Sequence, residues 1–333
     1  MAVVKKPAQV VAAGVAFLIL GTAAGAVPRR AYVLWTGSKV YVTEDGQAWR
    51  QVTPRGAVRP GTFRAIDAVA FRRTREGWLI ASDCATGRGS VYRTLDGGRS
   101  WRTYAFHAHS CAGGANFSLD VLNDKRAWVV QNEPTGPTAR LYRTTNGGRS
   151  WQVVRELADY GKVVFVSPTK GWLAGLHLLR TADGGRTWHR QSLPAPRGYR
   201  GRLVLLTAPR FFGRHGVLAG QYERGNPVIG FYRTSDGGRR WRLLGTLPGS
   251  APGVFPQFTL SAVSGSIVWL LTAGAKPAVH VTQDGGSHWS SHALARKLYA
   301  PVALSAGVAA ASDFHGVPYI TRNGGRSWRR LKL

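Results

Sequence analysis

The chain of 333 residues is 44% apolar and 11% aromatic, which is enough for a packed core, so a wholly disordered protein is excluded. Its two cysteines exclude a disulfide-framework mini-domain and a four-cysteine zinc site. Lys and Arg total 45 against 16 Asp and Glu, and this basic surplus, together with 12 Trp, requires an explanation.

Residues 1–26 have the pattern of an export signal. Two lysines precede an apolar stretch at residues 10–20, and Ala24-Gly25-Ala26 forms a small-residue cleavage site. An uncleaved membrane anchor is the alternative, because the apolar run is close to the shortest length that spans a bilayer. Both interpretations place residues 27–333 outside the cytoplasm, as a secreted, periplasmic or cell-surface domain.

A short pattern with the consensus T-x-[DN]-G-G-x-x-W recurs seven times along the rest of the chain, and the first copy is one residue shorter than the others. Its copies follow each other at intervals of 37 to 53 residues, which is the spacing of a repeat architecture. The key residue pairs are Asp45 and Trp49, Asp96 and Trp101, Asn146 and Trp151, Asp183 and Trp188, Asp236 and Trp241, Asp284 and Trp289, and Asn323 and Trp328.

Each copy lies between two runs of alternating apolar and polar residues, which predicts a β-hairpin. In the turn, the Asp or Asn oxygen can accept backbone N–H groups, glycine supplies positive φ, and the Thr hydroxyl is a further local partner. The tryptophan then covers the hairpin with apolar surface. Asn146 and Asn323 keep the accepting oxygen without the charge, which indicates a structural turn rather than a metal ligand or general acid.

Two further strand candidates precede most hairpins, as at residues 63–71 and 77–82 in the second repeat. Four short strands per repeat are typical of a propeller blade, so residues 27–333 are predicted to form an all-β, seven-bladed β-propeller of antiparallel blades. The first repeat has only three strand candidates. Either blade one is incomplete, or residues near 22–28 supply its innermost strand.

The seven turns resemble Asp-boxes, which are the bacterial neuraminidase repeats, and they are called Asp-boxes below. The fuller blade pattern, GWLIAS followed by VYRTLDGGRSW within residues 77–101, resembles the photosystem II assembly and stability factor family. That resemblance covers residues 31–333 and implies a seven-bladed, non-catalytic scaffold. The same box occurs in sialidases, xyloglucan-type glycoside hydrolases and sortilin-type receptors, so it is specific for fold and weak for function.

Antiparallel strands place the loops after the second and fourth strands of every blade on one side, here called the loop face. The Asp-boxes emerge on the opposite side, here called the box face. The longer, irregular loops belong to the loop face, which makes it the candidate partner surface. Cys84 and Cys111 both fall there and are predicted to form a disulfide. Free thiols, or a metal site using His107, His109 and Cys111, are the alternatives.

Catalysis by a sialidase-like glycoside hydrolase is the alternative function, and it needs two carboxylates across the scissile bond. The candidates at the ends of second strands are Asp83, Glu133, Glu223 and Asp313. No Phe-Arg-Ile-Pro motif of sialidases and no GxSxG, HExxH, P-loop or Rossmann fingerprint occurs in the sequence. A non-enzyme without cofactor is therefore favoured, with these acids as solvated loop residues that pair with arginine.

Part of the basic surplus belongs to the repeat itself. Arg93, Arg143, Arg180 and Arg233 share one position on the third strands, and arginine also recurs within the turns. These rows are expected to decorate the outer strands and the box face. The turn arginines are Arg99, Arg149, Arg186, Arg239 and Arg326.

The rest of the surplus lies in two dense clusters, which are the binding candidates. A solvated surface is the plain interpretation, and attraction to an acidic protein, to a membrane-associated partner, or to an anionic envelope polymer or lipid is the functional one. Nucleic acid fits the charge, but export makes it a less favoured partner. We expect a monomeric scaffold that displays the following residues: Arg64, Arg72, Arg73, Arg75, Arg197, Arg200, Arg202, Arg210 and Arg214.

Overall fold

A computed structural model describes residues 31–36, 38–58, 64–83, 86, 88–107, 116–133, 136, 138–198, 202–223, 227–249 and 258–333. All regular elements within these ranges are β-strands. No helix among the described residues is long and apolar enough to cross a bilayer. The proposed signal at 1–26, Cys84 and Cys111 lie outside the described residues.

The strands of the first four blades are β1 (Tyr32–Trp35), β2 (Val40–Thr43), β3 (Arg50–Gln51), β4 (Arg64–Phe71), β5 (Gly77–Asp83), β6 (Arg88–Thr94), β7 (Arg102–Phe106), β8 (Asn116–Val121), β9 (Ala127–Asn132), β10 (Ala139–Thr144), β11 (Gln152–Leu157), β12 (Gly161–Phe165), β13 (Gly171–Gly175), β14 (Leu178–Thr181) and β15 (His189–Gln191). Those of the last three are β16 (Arg202–Leu206), β17 (Arg210–Phe212), β18 (His215–Glu223), β19 (Val228–Thr234), β20 (Arg242–Pro248), β21 (Phe258–Ala262), β22 (Val268–Thr272), β23 (Ala278–Thr282), β24 (Ser290–Ala293), β25 (Tyr299–Ala303), β26 (Ala309–Ser312), β27 (Pro318–Thr321) and β28 (Arg329–Arg330).

These strands form seven antiparallel sheets, and the predicted seven-bladed propeller is confirmed. Five sheets have four strands in sequence order, with the first strand innermost. Blade five divides its inner strand into β16 and β17, which pair with opposite ends of β18. Blade one has three strands within the described residues, and the segment near 22–28 that could supply a fourth lies outside them.

The core is a ring of seven apolar clusters, and each cluster joins two neighbouring blades. The ring closes where Leu34 and Tyr41 of blade one pack with Val302 and Ala310 of blade seven. Second-strand tryptophans are almost completely buried in these clusters, and the Asp-box tryptophans pack at their margins. The abundance of tryptophan is therefore explained by contacts between blades.

The Asp-box of each blade packs against the blade before it. In blade five, a Cβ on Gly238 would lie 2.6 Å from Trp172 of blade four and 3.0 Å from Phe211 of its own blade, while Gly238 itself has φ +76°. Position 238 therefore requires glycine for two reasons, the positive φ and the lack of room for a Cβ. Corresponding contacts join Gly46 to Leu304, Gly98 to Val52, Gly148 to Trp78, Gly185 to Leu141, Gly286 to Phe231 and Gly325 to Val279.

The third-strand arginines also join blades, so the expectation that they decorate the outer surface is wrong for this row. They are half-buried, and the guanidinium of Arg93 lies 5.3 Å from the ring centre of Trp78. The guanidinium groups of Arg93, Arg143 and Arg233 lie against the first box glycine of the following blade. The apolar stem packs within one blade while the charged end reaches the next.

Gly237 and Gly238 provide a matched test of the packing against the preceding blade. Both have positive φ, but a Cβ on Gly237 would meet no atom within 4 Å. We expect Gly237→Ala to cost about 1 kcal/mol of unfolding free energy through backbone strain alone. Gly238→Ala should cost roughly 2–4 kcal/mol, because overpacking against Trp172 adds to the same strain. Urea denaturation measures both, and equal losses would contradict the packing argument.

Candidate functional site

Each Asp-box is a turn whose backbone is fixed by two side chains. In blade five, Thr234 Oγ1 donates to Asp236 Oδ1 at 2.8 Å and accepts from the Gly238 N–H at 3.0 Å. Asp236 Oδ1 also accepts the N–H groups of Arg239 and Arg240, at 2.9 and 3.0 Å. The Asp therefore holds the backbone of the residues that follow it, and their exposed side chains project outward from the turn.

The turn also binds the neighbouring loop of its own blade. In blade five, the Gly237 N–H donates to the carbonyl of Arg214 at 2.8 Å, and in blade two the Gly97 N–H donates to the carbonyl of Arg75 at the same distance. These carbonyls belong to the loops between the first and second strands. In these two blades the box face is consequently built from two joined turns, and both carry basic residues.

The box carboxylates are held in their ionised form by these hydrogen bonds. The Ser100 hydroxyl and backbone N–H keep the pKa of Asp96 well below its usual range, and Thr187 does the same for the pKa of Asp183. The backbone and ring of His288 lower the pKa of Asp284. Since these oxygens accept bonds from their own turn, the carboxylates serve the turn rather than neutralising the neighbouring arginines.

A row of exposed arginines follows from this geometry. Each of them occupies the position after the second box glycine, where its side chain faces solvent. Within the described part of the chain, no ion pair involves any of these five guanidinium groups. Gln47 and Ser287 take this position in blades one and six, so the row is incomplete. Its members are Arg99, Arg149, Arg186, Arg239 and Arg326.

Four of the nine binding candidates also lie on the box face. Arg72, Arg73 and Arg75 occupy the loop between β4 and β5, and Arg214 occupies the turn between β17 and β18. Arg72 pairs with Glu76 at 3.0 Å, whereas the other three are exposed. The sequence prediction placed the partner surface on the loop face, so the structure separates these candidates from that surface.

The other candidates divide between the loop face and the interior. Arg197 and Arg202 are exposed near the start of blade five on the loop side. Arg64 is the first residue of β4, and Arg200 lies outside the described residues. Arg210 is only 9% exposed and interacts with Asp120, so the prediction that it belongs to a surface cluster is wrong. It sits on the inner strand of its blade, next in sequence to residues that do reach the surface.

The four candidate catalytic acids all lie at the loop-face ends of second strands, as their spacing predicted. Asp313 Oδ1 accepts the N–H groups of His315 and Val317, at 3.0 and 2.9 Å, which closes its own turn. Glu223 accepts from the side chain of Gln221 at 3.1 Å, Glu133 is exposed, and Asp83 ends β5. Their use in catalysis stays a prediction.

The metal alternative has no support within the described residues, where no group of three His, Cys, Asp or Glu could hold an ion. His107 is described, but His109 and Cys111 lie outside, as does the predicted disulfide between Cys84 and Cys111. Sequence reasoning missed one buried pair of opposite charges. It comprises Asp120 and Arg210 on inner strands of different blades, and the two are too far apart in sequence to form a motif.

Comparison with known proteins confirms the resemblance seen in the repeat. Residues 156–294 match the family described as "Photosynthesis system II assembly factor YCF48". The "Photosystem II assembly lipoprotein Ycf48" of Synechococcus sp. (strain CC9902) is 33% identical over 131 residues, which are 39% of this chain and 35% of that relative. The chain therefore spans about a third of the curated relative it matches.

Two solved structures share the fold over most of this chain. "YCF48 bound to D1 peptide" is 19% identical, with a TM-score of 0.54 over 92% of this chain and 91% of that one. The GH74 xyloglucanase of Xanthomonas campestris is 16% identical, with a TM-score of 0.57 over 90% of this chain and 53% of the enzyme. At these identities the likeness shows the propeller fold alone.

The box hydrogen bonds generate a prediction about acid stability at Asn146, which replaces Asp. Asn146→Asp restores the arrangement of Asp96, in which the following Ser donates to the carboxylate at 2.6 Å. We expect a gain of ~0.5 kcal/mol in unfolding free energy at neutral pH, small because the turn is exposed. A carboxylate whose folded pKa is lowered stabilises above its unfolded pKa of about 4 and loses this effect as pH falls.

Urea denaturation gives the unfolding free energy at each pH between neutral and about 2. This pH range includes the usual carboxyl pKa. Asp96→Asn is the reciprocal control and should lose stability at neutral pH, with the difference from the native protein shrinking in acid. A gain in Asn146→Asp that persists unchanged in acid would contradict the assigned role of the charge.

Proposed function

We propose that the protein is a non-catalytic binding and assembly scaffold that presents its arginine-rich box face to an acidic protein partner at a membrane. The observation that carries this proposal is the row of five exposed arginines, which have no ion pair within the described residues and stand on turns fixed by their own hydrogen bonds. A rigid basic surface attracts and orients an acidic partner.

The rigidity of the box face supports this proposal. The turn backbones are bonded internally and to neighbouring loops, so docking orders mainly the arginine side chains. Binding therefore costs less conformational entropy than it would on a flexible loop. Guanidinium groups suit such contacts, because each can hold a carboxylate by two parallel hydrogen bonds.

The family match supports an assembly role, and the solved relative bound to a D1 peptide supports a polypeptide partner. We infer that this chain likewise binds a segment of a membrane protein and promotes its assembly. The lipoprotein named among its relatives and the export pattern of residues 1–26 both support an extracytoplasmic, membrane-associated location. An anionic lipid or envelope polymer is the alternative partner.

A glycoside hydrolase of sialidase-like type is the second candidate and has weaker support. Its structural support is the propeller fold shared with the xyloglucanase, and a fold alone does not specify a reaction. Of the candidate acids, Asp313 accepts hydrogen bonds from two backbone N–H groups of its own turn, which indicates a structural role. We therefore propose that no reaction takes place at these carboxylates.

Charge reversal on each face tests the proposal. The full-length chain is immobilised and exposed to detergent-solubilised membranes of its own host, and captured proteins are eluted with a salt gradient. A triple variant, Arg149→Glu with Arg186→Glu and Arg239→Glu, should lose most of the capture. The native protein should release its partner as ionic strength rises through about 0.1–1 M, where the screening length falls from roughly 10 to 3 Å.

The control on the opposite side is Arg197→Glu with Arg202→Glu, which reverses two charges on the loop face without touching an Asp-box. It should retain capture. If only this control loses capture, the partner binds the loop face and not the box face. If both variants retain capture, or if capture resists high salt, the proposal that exposed arginines bind the partner is wrong.

A further inference from the structure

A histidine in blade six occupies a position that is tyrosine or leucine in every other blade. The position lies on the third strand, two residues before the Asp-box threonine, and in blade six it is His280 on β23. Blade four has Leu179 there. Histidine is the residue type of this set whose charge changes between pH 5 and 8. The other blades have the following residues there: Tyr41, Tyr92, Tyr142, Tyr232 and Tyr319.

His280 lies in the interface between blades five and six. It is directly opposite Leu270 of β22, and directly opposite residues of an antiparallel pair share a face of the sheet. Leu270 belongs to the apolar cluster that joins the two blades, together with Phe231 and Leu247 of blade five. His280 itself is only 4% exposed. Its ring is therefore enclosed on the apolar side of blade six that packs against blade five.

The imidazole has a hydrogen-bond partner for one of its two nitrogens. Nδ1 of His280 lies 2.7 Å from the hydroxyl oxygen of Ser291 on β24. Nε2 is buried, and no described residue bonds to it. In blade five the longer side chain of Tyr232 does reach an acceptor, because its hydroxyl donates to the carbonyl of Pro194 at 2.9 Å. The shorter imidazole leaves Nε2 without an acceptor to which a second proton could be donated.

The charged side chains on the facing side of blade five lie at the ends of its strands, whereas His280 lies in the middle of β23. Strands β21 and β22 contain no charged residue, and the one titratable residue of β24 is His292, opposite Val279. No acid among these groups is therefore placed in mid-strand to balance a protonated imidazole. The charged or titratable residues at the strand ends of blade five are Glu223, His215, Arg233 and Arg242.

We propose that protonation of His280 opens the interface between blades five and six, so that mild acid loosens the propeller ring there. A second proton would place a charged N–H without an acceptor among apolar side chains, and an unpaired buried charge is costly. Separation of the two blades admits water to that N–H and removes the cost. This response uses none of the box-face arginines, so it can be wrong while the proposed docking function is right, and the reverse also holds.

The direction of the pH effect follows from burial. Free imidazole has a pKa of about 6.5, whereas burial lowers the pKa of His280 to about 4. The open state therefore binds the proton first as the solution becomes acidic. The interface keeps its full stability above about pH 6.5 and loses stability as the pH falls toward about 4. Between about pH 7 and 5, the equilibrium between closed and open states should shift toward opening by roughly tenfold.

Amide hydrogen exchange of the full-length protein, corrected for the intrinsic effect of pH on exchange, tests this proposal. Between about pH 7 and 5, the amides of β19, β22 and β23 should lose protection by roughly tenfold, while those of β9 and β10 in blade three keep theirs. His280→Leu and His280→Tyr introduce the residues that other blades have at this position, and both should abolish the loss. His189→Gln, which changes an exposed histidine on β15, should leave it unchanged.

Imidazole NMR of the native protein gives a second measurement, which does not depend on whether a variant folds. The ring of His280 in the closed protein should keep the chemical shifts of its neutral form down to about pH 5. The proposal is wrong if this ring titrates near pH 6.5 while the amides of blade six stay protected. It is also wrong if blade three loses protection at the same pH as blade six, or if His280→Leu loses protection as the native protein does.

Discussion

The contact between each Asp-box and the blade before it is the constraint on which the rest of the propeller depends. A glycine without a side chain lets the turn approach an aromatic or branched residue of the preceding blade, as Gly238 approaches Trp172. The Thr hydroxyl and the Asp carboxylate then accept backbone N–H groups of that turn and hold it in shape without help from the neighbour. Since one turn both completes its own blade and packs against another, the repeat specifies local structure and global curvature together.

Arginine has three separate tasks in this structure, and the basic surplus is the sum of them. Arg93 and its equivalents join adjacent blades, the turn arginines such as Arg186 face solvent, and Arg210 lies inside with Asp120. The amino-acid composition does not distinguish these roles, because arginine packs between blades, faces solvent and pairs with a buried carboxylate in the same protein. The proposed docking function rests on the solvent-facing turn arginines, which are a different set from those that join the blades.

The fold and its turns were predictable from the sequence because their chemistry is local. Thr94, Asp96 and Gly98 lie within five residues, and the hydrogen bonds and dihedral angles of a single turn favour their types. The sites were harder to predict. Arg210 and Arg214 are neighbours in sequence, yet one is on a buried inner strand and the other in an exposed turn. Asp120, the partner of Arg210, is ninety residues away, and the two meet because inner strands of different blades surround one axis.

Closure of the ring has a consequence for the order in which the protein is made. Tyr32 donates to the carbonyl of Leu304, and Arg322 donates to the carbonyl of Gly46, so the first and last blades depend on each other across almost the whole chain. Blade one therefore leaves the ribosome with an apolar side that no later segment covers until blade seven has been synthesised. That interval is when the nascent chain most needs protection from aggregation, and its length grows with every blade between the two.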